Sequence, residues 1–234
     1  MPMTGRILMI GCGNMGGAML ARWLADGLSP DSVTVVSPSM RVMPPGVHVV
    51  AAVPDPDDFS AETVMLALKP QQLGALKTPV FARYAPKLLI SILAGVEIAA
   101  LDRLSQAQAV VRAMPNLPVA IGRGVVALHG ATDDGAARAT AEALMTPLGL
   151  VEWIAAEAQF DAVTALAGCG PGFVFRFADA LAKAGQALGL PADQAARLAI
   201  ATLEGSARMA GAADVRRRCW RTGSRARVDR HAKG

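Results

Sequence analysis

Residues Gly11-Cys12-Gly13-Asn14-Met15-Gly16 follow the apolar run Ile7-Leu8-Met9-Ile10 and precede Gly17-Ala18-Met19-Leu20-Ala21-Arg22-Trp23-Leu24, which has helical spacing. A strand, a glycine turn and a helix in this order turn a GxGxxG string into a dinucleotide site. On that reading Gly11 permits the tight turn, Gly13 lets the backbone approach a pyrophosphate, and Gly16 allows the helix to pack closely on the strand. The helix start at Asn14 and Met15 offers free N–H groups and a partial positive charge to the phosphates. Read more plainly, the string is a glycine-rich surface turn, and only its surroundings separate the two.

The second apolar run, Val33 to Val36, is followed by Ser37-Pro38-Ser39-Met40-Arg41, with no acid. A site for NAD places Asp or Glu on the ribose 2′-hydroxyl about 20 residues after the glycine loop, whereas a 2′-phosphate repels an acid and favours hydroxyls or arginine. Ser37, Ser39 and Arg41 therefore predict NADPH, with NADH as the alternative. Lys69 ends a third run, Leu66-Ala67-Leu68-Lys69-Pro70-Gln71, at the carboxyl edge of the expected sheet, where ligands bind in this architecture. The three histidines, His48, His129 and His231, lie outside these segments. That argues against a Ser-His-Asp hydrolase and against a histidine-rich metal centre, so no metal site is expected.

These segments need a scaffold, and 234 residues with 53% hydrophobic content can build a sizeable core in one large or two smaller domains. Cys12, Cys169 and Cys219 are too few and too scattered for a disulfide framework and suit a reducing cytoplasm. Neither a secretory signal nor an apolar run of about 18 or more residues is apparent, so a soluble, cytoplasmic protein without membrane contact is expected. The basic balance is local: residues 216–234 hold eight Lys+Arg against one Asp+Glu, leaving 15 against 18 in residues 1–215. Such a tail can attract nucleic acid through phosphates, but arginines with no patterned apolar face read better as a solvated or aberrant end, and no nucleic-acid partner is expected.

Strands are predicted over Arg6–Ile10, Val33–Val36, Thr63–Leu68, Leu88–Ile92, Ala109–Ala113 and Gly124–Leu128, alternating with helical segments. Their near-continuous Val/Ile/Leu content predicts a doubly wound α/β domain with a parallel sheet covered on both faces. From Ala158 the texture becomes Ala-rich and helical, over Gln159–Ala167, Phe173–Leu188 and Ala192–Ala210, with Gly189 and Pro191 placed to cap one helix and open the next. This second, smaller all-helical domain is too short to enclose a core alone, so its apolar faces point to packing on the first domain or to a subunit interface, the latter preferred.

Val111-Arg112-Ala113-Met114-Pro115-Asn116-Leu117-Pro118, Ser91-Ile92-Leu93-Ala94-Gly95-Val96 and Ala165-Leu166-Ala167-Gly168-Cys169-Gly170-Pro171-Gly172-Phe173 complete the pattern. With the glycine loop and the Lys69-Pro70 segment, their order and separations resemble the pyrroline-5-carboxylate reductase family over about residues 5–215. The resemblance implies a Rossmann-type NADP-binding domain over 1–157, a helical dimerisation and substrate domain over 158–215, incomplete, and an off-pattern tail over 216–234. It implies hydride transfer from NAD(P)H to the imine carbon of pyrroline-5-carboxylate, giving L-proline, by a homodimer or higher homo-oligomer. It further implies that Gly11, Gly13, Asn14, Met15 and Gly16 hold the pyrophosphate, that Ala67, Lys69, Pro70, Ala94 and Gly95 wall the nicotinamide and ribose, and that Asn116 lies near the substrate. Gly170, Pro171 and Gly172 would receive the substrate carboxylate on free N–H groups at a helix start. Rival readings are a β-hydroxyacid dehydrogenase, for which Lys183 is the sole lysine in the long helix, a related imine reductase, and a non-catalytic dinucleotide-binding protein.

The chain departs from the family pattern in two places. Ala167, Cys169 and Phe173 stand where the family usually carries serines and a tyrosine, and Gly172 where it carries alanine, so three hydroxyls are missing around the expected carboxylate site. After Ala213 the pattern is lost, and no segment similar to Ser-Pro-Gly-Gly-Thr-Thr, whose threonine is the family's expected donor to the imine nitrogen, occurs here. No catalytic residue is therefore assigned, and the chain as written is expected to be a truncated, inactive member that still binds cofactor. Degenerate codons for residues 216–234 permit an alternate frame reading AAMLADRVASPGGSTRKG, which points to a reading-frame shift.

Overall fold

The computed structural model describes residues 5–76, 78–130 and 134–212. The expectations for residues 216–234 lie outside them. Two compact units divide the chain after Pro171.

Within the first unit, β1 (Ile7–Ile10), β2 (Val33–Val36), β4 (Thr63–Leu66) and β5 (Leu88–Ser91) are buried at every position. Short all-apolar runs behave this way when both faces of a parallel sheet are covered. Among the described residues they join β3 (His48–Val50), β6 (Val110–Pro115), β7 (Gly124–Gly130) and β8 (Gly149–Trp153) in one sheet of order β3-β2-β1-β4-β5-β6-β7-β8. The side-chain period of two sends alternate residues to opposite faces. Met9, Val35, Met65 and Ile90 meet Met19, Leu20 and Trp23 of α1 (Asn14–Ala25), while Leu8, Leu66 and Leu89 meet Phe81, Tyr84 and Leu101. Phe81 belongs to α2 (Pro79–Ala82) and Leu101 to α3 (Ile98–Leu101). Each such fully buried large side chain is worth about 1.5–3 kcal/mol of transfer free energy.

Two expectations require correction. The Gly124–Leu128 strand is not parallel to its neighbour: β7 runs antiparallel to β6, with Arg112 opposite His129 and Met114 opposite Ala127. The connection from Asn116 to Arg123 is a single 3-10 turn, and a parallel return needs about a dozen or more residues. β8 then pairs parallel to β7, across a connection that contains α4 (Gly135–Met145). The expected single helix over Gln159–Ala167 is instead a 3-10 turn (Glu157–Gln159), α5 (Phe160–Val163) and a π-turn (Thr164–Gly168). The change of texture at Ala158 also precedes the compact boundary. Residues 158–171 group with the sheet because Phe160 is buried against the Arg112 guanidinium and the His129 ring, and because Asn116 bonds the carbonyl of Ala167.

α6 (Gly170–Ala187) ends where the N–H of Leu190 returns to the carbonyl of Gly185, Pro191 follows, and α7 (Ala192–Ala212) begins. In the second unit Ala182, Ala195 and Ala199 are buried, whereas Phe173, Phe177, Leu188, Ile200 and Met209 are exposed.

Candidate active site

The order β3-β2-β1-β4-β5-β6 reverses direction between β1 and β4, and an open α/β sheet binds its ligands outside the carboxyl ends of the strands at such a point. The glycine loop follows β1, Ser37–Arg41 follows β2, Ala67–Pro70 follows β4, Ala94–Gly95 follows β5, and Asn116 follows β6. The fold thus gathers these predicted residues along one edge.

Gly11 has φ +83°, and a Cβ there would lie 2.9 Å from the carbonyl oxygen of Ala67 and from Leu68 Cα and N. Only glycine fits that turn against β4. A Cβ on Gly16 would lie 2.7 Å from Met9 Cε and 3.1 Å from Ala67 Cβ, so this glycine is what lets α1 approach the sheet. Around Gly13 the space is open. Gly13 is also the N-cap of α1, with no side chain capping the helix and no acid in its first turn. By contrast Asp134 accepts from Ala136 N–H and Ala137 N–H at the start of α4, and Thr78 accepts from Phe81 N–H at the start of α2. An uncapped helix start behind an open glycine is the geometry that receives a phosphate.

Arg41 reaches back to this loop, its Nη1 donating to the carbonyl of Cys12 at 3.2 Å. The two share a cleft of about 410 Å³ with Gly13, Asn14 and Met43. Ser37 is buried and its Oγ lies 3.4 Å from Ser39 Oγ and 3.5 Å from the Arg41 N–H; between them Met40 takes φ +47°, an uncommon conformation for a residue with a side chain. Burial pushes the Cys12 thiol up, and the Arg41 charge offsets only part of that. A thiol so protonated is a poor nucleophile.

Lys69 and Pro70 are exposed at the carboxyl edge, where the Lys69 N–H donates to Gln72 Oε1 at 3.0 Å. Ala94 and Gly95 form a turn, Gly95 at φ +71°, on the rim of a second cleft of about 270 Å³. Arg112, Met114, Glu157 and Thr164 also line it, together with the carboxylates Glu97 and Asp161. Asn116 does not line it: Oδ1 accepts the N–H of Val125 at 2.8 Å and Nδ2 donates to the carbonyl of Ala167 at 3.0 Å. Its amide braces the β6–β7 turn against the π-turn and keeps one N–H. Gly170 and Pro171 open α6, where the missing N–H of proline costs nothing, and Gly172 lies in the same first turn. Lys183 pairs with Asp179 at 2.8 Å on an exposed face of α6, which removes the support for a lysine general acid.

The residue that sequence reasoning missed is Glu157. Its Oε1 accepts from Arg112 Nη1 at 2.6 Å and from the Ile98 N–H at 2.8 Å. Burial would raise its carboxyl, but these two hydrogen bonds and the Arg112 charge prevail and hold it below the usual carboxylate range. Its signal was slight: an acid just ahead of the Ala-rich texture, and an arginine on an otherwise apolar strand.

Comparison with known proteins agrees with this geometry. The chain is 33% identical over 219 residues to the pyrroline-5-carboxylate reductase of Pseudomonas aeruginosa, covering 91% of this chain and 80% of that relative. The chain belongs to the pyrroline-5-carboxylate reductase family. Residues 157–223 match the family described as pyrroline-5-carboxylate reductase dimerisation, and residues 6–95 the one described as NADP oxidoreductase, coenzyme F420-dependent. Among solved structures, a pyrroline-5-carboxylate reductase of Coxiella burnetii superposes with TM-score 0.74 at 31% identity, over 90% of this chain and 81% of that one. The fold is likewise that of the Plasmodium falciparum pyrroline carboxylate reductase solved with NADP bound, at TM-score 0.77 and 24% identity, over 92% of this chain and 81% of that one.

Proposed function

We propose that this chain binds NAD(P)H along the carboxyl edge of its sheet and serves hydride transfer to the imine carbon of pyrroline-5-carboxylate. The hydride and one proton convert the C=N bond to the C–NH of proline, and the cofactor leaves as NAD(P)+. The uncapped start of α1 behind Gly13, with Arg41 drawn onto the same loop, carries the cofactor half of this reading. Gly11, Gly13, Asn14, Met15 and Gly16 hold the pyrophosphate. Ser37, Ser39 and Arg41 take the 2′-phosphate, which favours NADPH over NADH. Ala67, Lys69, Pro70, Ala94 and Gly95 wall the ribose and nicotinamide. The cofactor does the bond chemistry while the protein aligns it.

The substrate end falls to Gly170, Pro171 and Gly172, whose helix start suits a carboxylate, and to Asn116 by family resemblance. An imine accepts hydride readily only when its nitrogen is protonated or strongly hydrogen-bonded. The described residues of this chain supply no assigned donor, and Ala167, Cys169 and Phe173 bring no strong hydroxyl donor to the loop. That favours a second reading, a dinucleotide-binding family member with little turnover. The exposed Phe173 and Phe177 on α6 support assembly of identical chains, with a dimer as the smallest unit. No helix of the described residues is long and apolar enough to cross a membrane, and the scattered cysteines fit a cytoplasmic setting.

Titration with NADPH and NADH tests the cofactor half: tighter NADPH binding is expected, and tighter NADH binding or none overturns it. Incubation of pyrroline-5-carboxylate with NADPH then separates the readings, since proline appears only if the chain is a working reductase.

A further inference from the structure

Three elements of the first unit meet at one carboxylate oxygen. Arg112 comes from the middle of β6, beside Ser91 of β5, and its side chain is only 10% exposed. Ile98 opens α3, a helix of one turn whose own N-cap, Glu97, makes no capping hydrogen bond. Glu157 opens the segment that runs through α5 to the π-turn. The Arg112 guanidinium also lies 4.4 Å over the Phe160 ring, whose edge meets His129. His129 in turn is tied through Nδ1 to the Ile154 carbonyl at 3.0 Å.

The Ala94–Gly95 turn lies just ahead of Ile98, and no atom lies within 4 Å of where a Cβ on Gly95 would stand. The turn itself is exposed, while Leu93, Val96 and Ile98 on either side of it pack in the core. Across the 270 Å³ cleft stand Met114 on β6 and Thr164 on the π-turn. The bond from the Ile98 N–H to Glu157 adds to the β5–β6 pairing a direct tie between the start of α3 and the segment that leads into the π-turn.

Resting on the dinucleotide reading above, we infer that Glu157 is a positioning residue for the nicotinamide end of the cofactor. It holds the Ala94–Gly95 turn at a fixed separation from the β6 and π-turn wall, so that the ring enters the cleft in one orientation. Removing the carboxylate strands the buried Arg112 cation and frees the donor at the start of α3, and both changes loosen the same rim. The adenosine end, beside β1 and β2, shares no residue with this node.

The test uses the full chain, Glu157→Ala and Glu157→Gln, with three measurements: NADPH affinity, emission of the bound nicotinamide, and affinity for 2′,5′-ADP, which occupies only the adenosine end. Glu157→Ala is expected to weaken NADPH about tenfold, at the scale of a lost charge-assisted hydrogen bond, and to change the bound emission while 2′,5′-ADP binds as before. Glu157→Gln keeps an oxygen that accepts from Ile98 and is expected to recover part of the loss. Should Glu157→Ala fail to fold, Glu157→Gln decides alone through a smaller loss confined to NADPH. Unchanged NADPH affinity and emission, or an equal loss for 2′,5′-ADP, overturns the positioning role. Absence of binding of both ligands by the unmodified chain overturns the dinucleotide reading itself, and this inference with it.

Discussion

Arg41 shows what a residue type and its position can disclose. An arginine after a second strand without an acid suggests a 2′-phosphate, and the fold adds that this side chain reaches the Cys12 carbonyl, 29 residues earlier, at the mouth of the phosphate loop. Arg41→Ala is accordingly expected to weaken NADPH about tenfold while leaving NADH within about twofold, the difference being one charge-assisted contact to phosphate. Parallel fluorescence titrations check it; equal losses for both cofactors would remove the 2′-phosphate from the role of Arg41. Asn116 shows where residue-level reading stops. The family resemblance puts it near the substrate, and the fold adds that its amide oxygen accepts from Val125 while one amide N–H goes to Ala167. The second of those partners exists only because the π-turn brings the Ala167 carbonyl round, and no property of Asn116 itself foretells that. Glu157 was hidden for a similar reason: its partners lie 45 and 59 residues away.

Elements with strong local signals were legible. β1, β2, β4 and β5 were readable because every position in them is buried, so composition alone marks them. β3 and β8 were not, since both are edge strands with half-exposed positions and break the apolar run, as at His48 and Glu152. The direction of β7 depended on the length of its connection rather than on its own residues. One close join between elements is the contact of the glycine loop with the end of β4. Gly11→Ala forces a side chain into φ +83° and sets its Cβ 2.9 Å from the Ala67 carbonyl oxygen. It is expected to cost about 1–2 kcal/mol from the backbone conformation alone, with the contact adding to this, and to abolish detectable NADPH binding. Urea unfolding and titration of the same sample measure both. A variant with an unchanged midpoint and normal affinity would contradict the assigned geometry of this turn.

At the scale of the whole molecule, charge and apolar surface are distributed unevenly. Residues 216–234 carry a net charge of +7 against −3 for residues 1–215, and the chain spans about four-fifths of the relatives it matches. A shift of frame needs suitable codons: CGG CGG CGA TGC TGG for Arg216 to Trp220 places Ala-Ala-Met-Leu in the alternate frame, and the codons of residues 225–229 decide whether Ser-Pro-Gly-Gly follows. Sequencing the gene through codons 210–229 is expected to find them, and other arginine codons there would dismiss the shift. The apolar surface has its own consequence. α6 exposes Phe173 at 68% and Phe177 at 59%, one helical turn apart, and Leu181 continues the same line at 38%. Apolar area costs about 25 cal/mol per Å² when left in water, and an aromatic side chain presents about 150–250 Å², so two phenylalanines offer several kcal/mol to whatever covers them. Identical chains present identical stripes, and a two-fold pairing covers both at once. Sedimentation of the unmodified chain is therefore expected to show a homo-oligomer, and the double change Phe173→Ser and Phe177→Ser to shift it toward the monomer while far-ultraviolet circular dichroism stays helical. An oligomer that survives the double change at micromolar concentration would place the interface on another surface.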